Sequence, residues 1–177
     1  MSLKIIYTVG HSTRSIDDFI DILKFYGIEE VVDIRTIPRS RRNQQFNRDE
    51  LELVLPNAGI TYTHEKNLGG LRKPKKNSTN SAWKNDSFRG FADYMQTPEF
   101  AEAISHLVGV SKCKTTAIMC AEVLPWRCHR SLVADAMTVR GFEVIEIFDK
   151  DKSRIHKLTA FSLVEGERIT YPLSDLK

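Results

Sequence analysis

"KTTAIMCAEVLPWRCHRSLVADAMTVRGFEVIEIF", residues 114–148, decides how this chain folds. It opens on a short apolar run, Lys114 to Cys120, whose length and residue types suit a strand. It closes on a second, Phe142 to Phe148. Between them Leu132, Val133, Ala136, Met137 and Val139 or Arg140 track one face of a helix spanning 128–141, and Gly141 stops it. A strand, a helix and a second strand joined by short turns make the unit of a parallel sheet with a right-handed crossover.

The same alternation extends to the N-terminus. "KIIYTVG" (4–10), "EEVVDIR" (29–35) and "ITYTH" (60–64) read as strands. Between the first two, Ser15 caps a helix carrying Ile16, Phe19, Ile20 and Leu23 on one face, with Gly27 at its end. Residues 47–59 open on Asn-x-x-Glu and end at Pro56 and Gly59, a second helix. Residues 88–109 read as two helical pieces divided at Thr97-Pro98. The expectation is a single α/β domain over 1–177: a mainly parallel five-stranded sheet with helices on both faces, in three layers. Two segments stand outside it. Residues 66–88 are polar and too long for a simple connection, so they are a candidate lid or binding loop. Residues 150–177 form a C-terminal extension or a hairpin turning at Glu165-Gly166.

Bulk composition removes several functional classes. At 41% hydrophobic and 28% charged, the 177 residues can bury a core and do not read as disordered. No apolar run approaches bilayer length, and "MSLKIIYTVG" lacks a signal-peptide pattern, so a cytoplasmic protein without a membrane partner is expected. Three cysteines is an odd count, which fits reduced thiols. No Walker loop and no Gly-x-Gly-x-x-Gly turn supports a bound nucleotide cofactor, and none is expected. The net charge of +3 is modest, but its distribution is not even. Residues 35–48 hold five arginines and no acid, and residues 66–76 hold five more basic residues and no acid. Such loops are either solvated or face an anion, such as a nucleotide or a nucleic-acid backbone.

In a parallel sheet every strand delivers its C-terminal end to one rim, where ligands bind. The first strand brings His11, Ser12 and Arg14. The second brings Asp33, Arg35, Ser40 and Arg41. The third brings His64, Glu65, Gly69 and Gly70. The fourth brings Cys120, Glu122, Arg127, Cys128, His129 and Arg130. The expected catalytic set is Cys120, Glu122, His11, Cys128 and His129, with a cysteine as nucleophile or redox thiol and Glu122 and His11 as proton carriers. The expected substrate-binding set is Ser12, Arg14, Arg35, Ser40, Arg41, His64, Gly69, Gly70 and Arg130. Cys128 falls at a helix start beside Arg127 and Arg130, which favours its thiolate. Each residue also has a structural reading: Cys120 as buried filler, Glu122 as a salt-bridge partner, Asp33 as a buried partner for an arginine. Cys120, Cys128, His129, His11 and His64 include enough soft ligands for zinc. They lack a Cys-x-x-Cys knuckle and sit among cations, so no metal is assigned. A nucleic-acid-binding module without catalysis and a metal-binding or redox-sensing protein remain alternatives. Nothing in the sequence sets the oligomeric state.

Six blocks carry a family resemblance: "YTVGHSTR", "VVDIRTIPRSR", "GITYTHEKNLGG", "FADYMQTPEF", "IMCAEVLPWRCHR" and "GFEVIEI". Together, from about Tyr7 to Phe148, they resemble the domain-of-unknown-function 488 family. The resemblance implies a single-domain α/β fold with a shared polar site and no assigned reaction. A fainter similarity runs to rhodanese-like and cysteine-phosphatase domains, through "VVDIR" and the strand, Cys, loop, helix order of the fourth unit. Here six residues separate Cys120 from Arg127, and the loop holds Leu, Pro and Trp. It is therefore the wrong length and too stiff for their anion cradle, so the similarity implies fold and anion binding, not sulfur transfer.

Overall fold

Each apolar run can bury its backbone polar groups only by pairing them, so the runs assemble as a sheet. The computed structural model describes residues 3–174. Strands β1 (Lys4–Gly10), β2 (Glu30–Asp33), β3 (Thr61–His64), β4 (Thr116–Cys120), β5 (Phe142–Asp149) and β6 (Lys152–Ile155) form one sheet in the order β3-β2-β4-β1-β5-β6. The first five are parallel, and β6 returns antiparallel along β5. The sheet therefore has six strands, not five. All four β6 residues are exposed, so "KSRI" offers no apolar alternation to read. A separate hairpin, β7 (Leu163–Glu165) and β8 (Arg168–Thr170), turns through Gly166 at φ +65°.

Helices α1 (Ile16–Phe25) and α2 (Arg48–Asn57) cover one face, and α3 (Asp86–Tyr94), α4 (Pro98–Cys113) and α5 (Arg130–Thr138) cover the other. Strand alternation divides the core between them. Ala117 and Met119 of β4 pack with Phe19, Leu23, Leu51 and Leu55, while Ile118 and Cys120 pack with Ile104, Leu107, Leu132 and Met137. Cys120 thus faces α5 from the end of its strand. Caps follow the sequence at α1 and α4, where the Ser15 and Thr97 hydroxyls accept from Asp18 N–H and Phe100 N–H. At α2 they do not. The Asn47 side chain instead accepts from the Ser40 N–H at 2.7 Å, fastening the arginine loop to the helix start.

The segment 66–88 begins with a short 3-10 turn and ends inside α3. It is tied to α3 through Asp93, whose carboxylate accepts from Lys75 N–H, the Ser78 hydroxyl and the Asn80 amide. Asn80 and Ala82 also bond the backbone of Tyr171, so this segment and the C-terminal part hold each other.

His156 pins that C-terminal part to the sheet. It is buried, with Nδ1 2.8 Å from Glu146 and Nε2 2.8 Å from Asp135. Burial opposes the proton, but the bonds to Asp135 and Glu146 outweigh it and raise the pKa to about 9 from an ordinary 6.5. The proton is therefore held more tightly folded than unfolded. Its stabilisation is complete below pH 6.5 and is lost as pH rises towards 9. The gap corresponds to roughly 3 kcal/mol at most. The urea midpoint should accordingly fall between pH 6.5 and 9, and the His156→Ala variant should be less stable at pH 6.5 and lack that fall. A wild-type midpoint flat across this range would contradict the assignment.

Candidate active site

Parallel register brings the strand ends together as the sequence required. Gly10 pairs with Cys120, and Asp33 pairs with both Met119 and His64. A cavity of about 550 Å³ opens on this rim. His11 and Arg35 line it from the first two strands, and Cys120, Glu122, Cys128 and His129 from the fourth unit. Arg39, Ser40 and Asn43 close one side, and Gly70, Leu71 and Phe88 another.

The arginine side is a fixed network. Asp33 is fully buried and accepts from Arg35 Nε (2.9 Å), Arg35 Nη2 (2.6 Å) and the Tyr62 hydroxyl (2.6 Å). Arg35 Nη2 also donates to the Phe46 carbonyl at 2.7 Å. His11 Nδ1 lies 2.8 Å from the Ser12 carbonyl, which can only accept, so Nδ1 carries the ring proton. His11 Nε2 is then an acceptor, 3.2 Å from Arg35 Nη1. Burial, with the Arg35 charge against the Ser12 carbonyl, lowers the His11 pKa to about 4. His11 is therefore neutral near pH 7, stacked on Phe46 at 4.2 Å, with both nitrogens engaged. A guanidinium has five N–H bonds, and four of those of Arg35 are used. One Nη1–H remains for a ligand. Asp33 balances the Arg35 charge, so net attraction for an anion comes from the exposed Arg39 and Arg127, which form no ion pair among the described residues.

The thiol side is built by α5. Cys128 stands two residues before the helix, and its sulfur takes the place of a capping oxygen, 3.5 Å from Arg130 N. Cys120 Sγ lies 2.9 Å from Cys128 Sγ. The thiol of Cys120 lowers the Cys128 pKa to about 7; burial opposes this, and the Arg130 charge and N–H add to it. Cys120 moves the other way. Burial and the neighbouring Cys128 hold its thiol protonated well above the usual range. His129 Nε2 lies 3.0 Å from the Leu68 carbonyl and 3.2 Å from the Ile34 carbonyl, so Nε2 carries the proton. Its Nδ1 lone pair faces Cys128 Sγ at 3.5 Å. Burial lowers the His129 pKa, so this ring is a neutral acceptor and the charge beside the sulfur belongs to Arg130.

Several expected residues serve the frame instead. His11 has no free nitrogen with which to carry a proton. Arg130 is 1% exposed and turns inward, donating to Thr8 Oγ1 (2.8 Å) and to the carbonyls of Glu122 (2.6 Å) and Val123 (3.1 Å). It shapes the β4 loop and lies off the cavity lining. Arg14 donates to the Phe148 carbonyl, and Ser12 bonds Ala121 at a φ of +52°. His64 donates to the Arg35 carbonyl at 2.7 Å, and Gly69 packs on Thr36. Arg41 is exposed beside the cavity without lining it. Ser40 and Gly70 do line it. A Cβ on Gly70 would come within 3.0 Å of His129 Nδ1. Glu122 is exposed at the rim, with its carboxylate accepting from Leu124 N–H. Arg39 and Tyr62 were not among the expected site residues, and Arg127, expected at the rim beside Cys128, had no assigned role in binding or catalysis. Among the described residues no group of three or more His, Cys, Asp or Glu is arranged to hold a metal, and no helix is long and apolar enough to cross a membrane.

A family model described as "Domain of unknown function DUF488" matches residues 15–137. The chain belongs to the DUF488 family. The DUF488 match takes in Asp33, Arg35, Cys120, Cys128 and His129 and leaves out His11. No curated protein and no solved structure matches the chain.

The buried Asp33–Arg35 pair sets a direct expectation. Asp33→Asn keeps the shape but leaves a guanidinium buried without its counter-charge. Stability should fall by about 3–5 kcal/mol, read as a lower urea midpoint. A loss below about 1 kcal/mol would mean that the pair is not buried as described.

Proposed function

We propose that this DUF488 chain is an enzyme that holds an anionic substrate at the sheet rim and attacks it with the Cys128 thiolate. The observation that carries the reading is the setting of the Cys128 sulfur. It has the Cys120 sulfur at 2.9 Å and a backbone N–H at 3.5 Å, and it faces a cavity lined by Arg39 and Arg127, which form no ion pair among the described residues, with Glu122 as the one carboxylate on the lining. A thiolate is the nucleophilic form of cysteine, and a site that lowers its pKa to about 7 keeps much of it available near neutrality.

The remaining roles follow from position. Arg39 and Arg127 supply attraction, and the spare Arg35 N–H supplies direction. His129 Nδ1 accepts a proton in transit, and Glu122 is the carboxylate on the cavity lining that can protonate a leaving group. A cavity of about 550 Å³ suits a nucleotide-sized ligand. The exposed Arg39, Arg41 and Arg42 on one loop favour a substrate rich in phosphate, a nucleotide or a nucleic-acid end.

The pH dependence of alkylation tests this. The thiolate reacts and the thiol does not, so iodoacetamide labelling of Cys128 should rise with pH about a midpoint near 7 instead of the ordinary 9.0. Cys128→Ser should remove that labelling. Saturating adenosine monophosphate should slow it, and Arg127→Ala should weaken the protection roughly tenfold. A midpoint at 9.0 or above, with no protection by the nucleotide or by pyrophosphate, would defeat the reading.

A further inference from the structure

The proposed attack leaves one group unused. Cys120 is 3% exposed, sits at the end of β4, and faces the same cavity as Cys128. As filler it would need only apolar neighbours. Its sulfur instead lies 2.9 Å from the Cys128 sulfur, and its other polar contact is the Glu122 carbonyl at 3.6 Å. Two thiols on different elements, held in contact at the floor of an open cavity, are placed to exchange a bond between them. The third cysteine, Cys113, is exposed at the end of α4 and belongs to neither element.

We infer that Cys120 is the resolving partner of Cys128, and that the pair passes two electrons to an anionic low-molecular-weight disulfide bound in the cavity. This rests on the reading of Cys128 as the reactive thiolate and names a substrate class for the same site other than the phosphate-rich one above. The steps balance. The Cys128 thiolate attacks one sulfur of the substrate disulfide. A Cys128–substrate disulfide forms, the substrate S–S bond breaks, and the first half leaves as a thiolate that takes a proton from water. Cys120 then attacks Cys128 Sγ. The Cys120–Cys128 bond forms, the mixed disulfide breaks, and the Cys120 proton goes to the second departing thiolate. The protein dithiol is oxidised by two electrons, and the substrate is reduced to two thiols. An external dithiol returns the protein to its starting state.

The asymmetry of the pair gives the order of events. Cys128 has the backbone N–H at the start of α5, is the more exposed of the two thiols and flanks the Arg127 side of the cavity, so it attacks first. Cys120 has the Glu122 carbonyl as an acceptor for its thiol proton and attacks once the mixed disulfide has removed the negative charge beside it. Arg39 and Arg127 favour a disulfide that carries negative charge.

Reduced full-length protein mixed with glutathione disulfide provides the test. The expected outcome is release of two glutathione thiols per chain, a mass loss of two hydrogens, and a fall in free thiols from three to one, at Cys113. Cys120→Ser should release one glutathione and retain the other as a stable mixed disulfide on Cys128. Cys128→Ser should do neither faster than Cys113 reacts. Cystamine, a cationic disulfide, should react at least about tenfold more slowly at low salt. A wild-type chain that keeps glutathione on Cys128 overturns the inference while leaving the Cys128 nucleophile in place. A wild-type chain in which Cys128 reacts with neither glutathione disulfide nor iodoacetamide overturns both. Cystamine reacting as fast as glutathione disulfide overturns the anionic substrate class.

Discussion

The carbonyl oxygen of Glu122 lies 2.0 Å from where a Cβ on residue 10 would sit. The loop after β4 can fold back across the end of β1 only because residue 10 is glycine. Arg130 then takes the Glu122 and Val123 carbonyls on its guanidinium and anchors itself on Thr8 of β1. These contacts fix the path from Cys120 to Cys128, so eight residues of sequence separation become a 2.9 Å contact between sulfurs. The thiol pair is thus a product of backbone approach and a buried cation, more than of cysteine spacing.

A second frame holds the opposite wall. Asp33 gathers Arg35 and Tyr62, Arg35 gathers Phe46 and His11, and His11 stacks back on Phe46. Every member is buried or half-buried, and each bond uses a donor or acceptor that would otherwise carry a desolvation cost. The two frames meet where the Ile34 carbonyl accepts from His129. The cavity is therefore rigid on its strand side, and the exposed arginines beyond it are the groups free to adjust to a guest.

Much of this was legible in the residues. The strand–helix alternation gave the layers, and the strand-end inventory gave the rim, because parallel pairing leaves one place for those side chains to go. What escaped had specific reasons. β6 is short, charged and exposed, so no period marked it. Arg130 reads as a cation at a helix start, and only its inward phase on α5 shows that it serves the protein's own carbonyls. Asn47 has the form of a helix cap, yet the Ser40 N–H competes for its oxygen and wins. The neutrality of His11 comes from its burial and the Arg35 charge beside it, while its tautomer is set by the Ser12 carbonyl, and Ser12 takes a left-handed backbone that sequence gives no reason to expect there.

The positive partner of the Cys128 sulfur is a guanidinium, and the neighbouring imidazole is uncharged. Thiol sites that depend on an imidazolium lose their support when that ring gives up its proton in mild alkali. A guanidinium keeps its charge at any pH in which the fold survives. Reactivity in such a centre falls away in acid as the sulfur takes up its proton, and meets no limit from its counter-ion in base.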